Sequence, residues 1–84
     1  MATPPRKRRL SLEQRRALEM LADIPRGVTE DLLVLAHGFD SNMIAGLVRA
    51  GLATARRETM RAGGKTSEVV RIRITEAGRK AIEG

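Results

Sequence analysis

The sequence predicts one small α+β domain, mostly α: a three-helix bundle followed by a C-terminal β-hairpin and a short last helix. Three observations carry that reading. Apolar residues recur at helical spacing in successive stretches between Leu12 and Ala50. At Gly51 that spacing stops, and small and cationic side chains follow one another through "LATARRETM". Further on, "VVRIRI" alternates with a period of two, the pattern of a half-buried strand. The chain has 84 residues, enough for one core and not for two.

Each element has its own signal. "MATPPRKRR" combines prolines and cations without apolar periodicity, so residues 1–9 are expected to form a disordered basic tail ahead of a folded domain over 10–84. Ser11 stands as an N-cap with Gln14 at capping-box spacing, and Ala17, Leu18, Leu21 and Ala22 make the first apolar stripe. Pro25-Arg26-Gly27 stops that helix. Thr29 reads as the next cap, with Glu30 and Asp31 at the positive end of the helix dipole. Leu32, Leu33, Leu35 and Ala36 supply the second helix, which ends at His37-Gly38. Asp40 caps the third, Ser41 to about Ala50, and Phe39 and Ile44 occupy the positions of a hydrophobic staple.

In this third helix Ile44, Leu47 and Val48 are assigned to the core, and Ser41, Asn42, Ala45 and Arg49 to the opposite face. Gly51 is placed to end it. A strand is expected from Leu52 to Met60, then a glycine-containing polar loop, "RAGGKTSE". The second strand turns Val70, Ile72 and Ile74 inward, and Thr75 caps a last helix that returns Ala77 and Ile82 to the core.

Composition narrows the function. There is no cysteine, which removes disulfides and thiolate metal sites. No apolar run approaches the roughly 20 residues that span a bilayer, and the N-terminus has no signal-like apolar stretch, so a cytoplasmic or nucleoid-associated location without membrane partners is expected. Phe39 is the sole aromatic residue, which argues against modules that stack unpaired bases. His37 has no cysteine or second histidine to share a metal, and reads as a helix C-terminal residue favoured by the dipole. Ser11, Thr29, Asp40 and Thr75 read as caps, and no nucleophile-base set or phosphate-cradling motif accompanies them; neither catalysis nor a cofactor is expected.

The net charge of +6 is unevenly placed: +4 over residues 1–9, −2 over 10–39 and +4 over 40–84. One-sided basicity of this kind is the electrostatic footprint of a nucleic-acid binder.

Two stretches resemble the DNA-binding portion of MarR-type transcriptional regulators, a winged helix-turn-helix domain. They are "LLVLAHGFDSNMIAGLVRAGLA", and "VVRIRITEAGRK", which enters the closing helix. "LVRAGLA" and "ITEAGRK" are the most specific parts, and the likeness runs from about Leu10 to Ile82. It implies duplex DNA as partner, Ser41–Ala50 as recognition helix and Arg61–Glu68 as wing tip. It stops short of the long helices with which full-length regulators of that kind dimerise and hold a ligand. Gly63-Gly64-Lys65 stands where their wings carry an acidic residue and an arginine.

The residues support a DNA site on their own terms. A helix that enters the major groove needs short or hydrogen-bonding side chains outward, and Ser41, Asn42 and Ala45 meet that need. Asn42 can pair with adenine, Arg49 can reach a guanine or a phosphate, and the N–H groups near Ser41 and Asn42 favour a phosphate. Arg56, Arg57, Arg61, Lys65, Arg71 and Arg73 along the ribbon, with Arg6, Lys7, Arg8 and Arg9 in the tail, can neutralise backbone charge. A tail of that kind can enter a neighbouring minor groove.

Plainer readings stand beside these. Asn42 and Arg49 also suit a solvated helix face, and Arg71 and Arg73 also suit a charged face that discourages sheet aggregation. A homodimer or another protein partner is compatible with the fold. As an alternative, the domain is an adaptor for protein or RNA that uses Met20, Met43 and Met60 as its contact patch.

Overall fold

The computed structural model describes residues 10–83. The expected tail, with Arg6, Lys7, Arg8 and Arg9, lies outside the described residues. The architecture is α+β: helices α1 (Leu12–Ala22), α2 (Ser41–Arg49) and α3 (Glu76–Glu83), and an antiparallel sheet of β1 (Val28–Thr29), β2 (Ala53–Ala62) and β3 (Lys65–Ile74). A π-helical segment, Leu32–Ala36, lies between β1 and α2. Strand order is β1-β3-β2.

α1 starts as its sequence dictates. Ser11 Oγ accepts from the Gln14 N–H at 3.0 Å, and Gln14 Oε1 accepts from the Ser11 N–H at 2.9 Å, a reciprocal capping box. Ala17, Leu18 and Leu21 are buried with Val28, Leu33, Ile44, Leu47, Ala53 and Ile72 in one core. Leu10, Phe39, Val48, Leu52, Val70, Ile74 and Ile82 pack around it. α1, α2 and the sheet thus place their apolar residues on the same interior.

Four expectations are corrected. The second helix is π-helical over Leu32–Ala36: the His37 N–H donates to the Leu32 carbonyl, five residues back, at 3.2 Å. Only Leu33 of that segment is buried, whereas Leu32 and Leu35 are exposed. The wider turn takes the apolar residues off a single inward stripe. Thr29, expected as a cap, instead enters β1 opposite Arg71, with Val28 opposite Ile72.

The polar loop after Met60 is mostly strand. Pairing runs unbroken from Ala53 opposite Ile74 to Ala62 opposite Lys65, leaving only Gly63-Gly64 as the turn. Both glycines have positive φ, 59° and 80°, the requirement of a type I′ hairpin turn, whose twist matches that of the strands. In α3, Ala77 is exposed and Gly78 is the buried residue. A β-carbon at Gly78 would collide with the Leu52 carbonyl oxygen, so glycine lets α3 lie directly on the chain that leaves α2.

Candidate nucleic-acid interface

α2 owes its orientation to both ends. Asp40 Oδ1 accepts from the Asn42 N–H at 2.9 Å, and Glu13 Oε2, on α1, accepts from the Asp40 N–H at 3.1 Å. At the other end Ala50 caps the helix and Gly51 follows at φ 80°. Ile44 and Leu47 are each 1% exposed, which fixes the helix rotation. Ser41, Asn42, Ala45 and Arg49 all face solvent, as their spacing requires. The outward face is therefore short-sided and polar, with its one charge at the C-terminal turn.

At the start of α2, where the N–H groups near Ser41 and Asn42 are expected to favour a phosphate, two carboxylates stand close by. The Asn42 N–H already donates to Asp40, and the Asp40 N–H donates to Glu13. Two carboxylates bracket the turn whose N–H groups would otherwise attract an anion.

β2 follows α2 after the short connection Ala50–Leu52, and the two elements are in contact. Arg56, Arg57, Arg61 and Lys65 are exposed. Register divides them. Arg56, Lys65, Arg71 and Arg73 alternate onto one face of the ribbon with Glu58, while Arg57 and Arg61 continue the face that carries Ala53 and Ile72 into the core. Every residue from Thr59 to Glu68 is exposed, so the outer half of the ribbon stands clear of the body. The described residues extend 60 Å in the longest dimension against 22 and 20 Å across.

Arg71 is already engaged. Its Nε donates to Glu58 Oε1 at 2.7 Å, and its Nη1 to the Gly27 carbonyl at 3.4 Å. Its side chain is 20% exposed. Glu58 stands diagonal to it across the strand pair, the nearest place for a counter-charge. Arg73 Nε donates to the Arg26 carbonyl at 3.2 Å. These two arginines fasten the turn after α1 to the sheet. By contrast Arg49, Arg56, Arg57, Arg61 and Lys65 enter no ion pair among the described residues.

Met20 and Met43 pack against the core, and only Met60 of the expected methionine patch is exposed. The apolar residues that face water are instead Leu12, Leu32 and Leu35. An open hollow beside the α2 cap is lined by Leu12, Glu13, Arg16, His37, Gly38 and Phe39, with the His37 and Phe39 rings stacked at 6.3 Å. Among the described residues no polar or charged side chain is buried and no acidic or histidine cluster could hold a metal. No helix among them is long and apolar enough to cross a membrane. Comparison with protein families, curated proteins and solved structures gives no match for this chain.

Proposed function

We propose that this chain is a winged-helix DNA-binding protein, without catalysis, that lays α2 in the major groove and holds the flanking backbone with the β2–β3 ribbon. Transcriptional regulation or nucleoid organisation is the role it suits. One observation carries the reading. The outward face of α2 presents Ser41, Asn42, Ala45 and Arg49, and a ribbon whose exposed Arg56, Arg57, Arg61 and Lys65 enter no ion pair among the described residues leaves from its C-terminal end. Short side chains let the helix backbone approach base edges, and Asn42 can pair with adenine there. Arg49, Arg56, Arg57, Arg61 and Lys65 supply phosphate contacts, whose strength falls as salt rises.

Titration of the protein with a mixed-sequence duplex at low and moderate salt tests this. Binding that weakens with salt, and weakens again in Arg49→Ala and Lys65→Ala, supports it; no binding at low salt overturns it. The exposed Leu12, Leu32 and Leu35 favour a second reading, an adaptor whose partner is another protein or a second copy. That reading predicts association that withstands salt and is lost when these leucines become polar.

A further inference from the structure

The two ends of α2 carry opposite charge. At its C-terminal turn Arg49 is exposed and the cationic ribbon begins. At its N-terminal turn the carboxylates of Asp40 and Glu13 stand on the first N–H groups, at 2.9 and 3.1 Å. Asp40 is exposed and Glu13 half-buried, and no cation forms an ion pair with either among the described residues.

We propose that Glu13 and Asp40 keep duplex phosphates away from the start of α2, so that the DNA backbone is held from the Arg49 end alone and Ser41 and Asn42 are left to base edges. This rests on the DNA-binding reading above. A phosphate brought to the first turn would meet two negative charges where a helix start would ordinarily offer N–H groups and the positive dipole end. Base edges carry no net charge, so the same turn can still approach them. The carboxylates thereby trade general affinity for dependence on sequence, since phosphate contacts position the protein and base contacts specify.

The test uses Glu13→Gln, Asp40→Asn and the double variant in the full chain. Glutamine keeps an oxygen for the Asp40 N–H, and asparagine is as good an N-cap as aspartate, so melting temperatures should stay near that of the parent. Affinity for a mixed-sequence duplex at low salt should rise about threefold or more in each single variant, and the gain should shrink as salt screens it. Glu19→Gln makes the same charge change about 9 Å further along α1, and should gain less. Unchanged or weaker binding in folded Glu13→Gln and Asp40→Asn, or an equal gain in Glu19→Gln, overturns the proposal while leaving DNA binding itself intact. An unmodified protein that fails to bind duplex overturns both.

Discussion

Thr75 donates its hydroxyl to the carbonyl oxygen of Gly51 at 2.7 Å and with the same oxygen accepts the Gly78 N–H at 3.0 Å. One side chain therefore caps α3 and fastens it to the point where α2 ends. The Thr75 N–H adds a bond to the Leu52 carbonyl at 3.1 Å. The helix that would face a groove and the helix that closes the domain are thus held by a single residue's bonds.

Thr75→Val keeps the shape and removes both hydroxyl bonds. It should lower unfolding free energy by about 1–3 kcal/mol, read by urea denaturation. Thr75→Ser should recover most of the loss.

Glycines 78 and 46 should respond oppositely to alanine. At Gly78 the new methyl meets the Leu52 carbonyl and, at 2.8 Å, the Ile74 side chain. Gly78→Ala should cost about 2 kcal/mol or more. At Gly46, inside α2, a methyl meets nothing within 4 Å, and Gly46→Ala should add about 0.5–1 kcal/mol through helix propensity. Thermal unfolding of the two variants side by side checks both signs.

The Glu58–Arg71 pair is partly shielded, with side chains 32% and 20% exposed. Removing Glu58 leaves the Arg71 guanidinium with the longer Gly27 bond alone. Glu58→Ala should destabilise by about 1 kcal/mol, with a smaller loss at high salt. An Arg71→Met variant that retained the parent's stability would show the pair contributes little.

Arg49 and Asn42 should separate in a binding assay. Arg49→Ala should weaken binding to all duplexes alike if it meets a phosphate, and lower the slope of log affinity against log salt by about 1. Asn42→Ala should instead narrow the gap between the best site and its mismatches, by about 1–3 kcal/mol at an adenine position. Sites selected from a random duplex pool supply the sequences. Neither change should alter the melting temperature, because both side chains are exposed.

Much of this arrangement was legible in the residues. The Ser11–Gln14 box, the Asp40 cap, the Gly51 stop and the inward set Ile44, Leu47 and Ile72 all follow from local chemistry or period. Reading failed where distant parts of the chain decide. Val28-Thr29 is too short to show a period and becomes a strand only because β3 offers Ile72 and Arg71 as partners. Arg61–Glu68 has no large apolar residue, so no apolar alternation marks a strand there; pairing across Gly63-Gly64 makes it one. The candidate site divides in the same way. The outward set on α2 follows from helical spacing, whereas the pairing of Arg71 with Glu58 and the Glu13 carboxylate at the α2 cap depend on contacts between separate elements.

Among the described residues the outer ribbon has no neighbour but itself. From Thr59 to Glu68 each strand leans only on the other, beyond the reach of β1 and the helices. Such a pair is a cooperative unit of its own, able to fray while the body stays folded. Amide hydrogens there should exchange with solvent sooner than those of Ala53 or Ile72. A ligand that clasps the ribbon must first quiet it, and that entropic toll should appear as slowed exchange in the bound state.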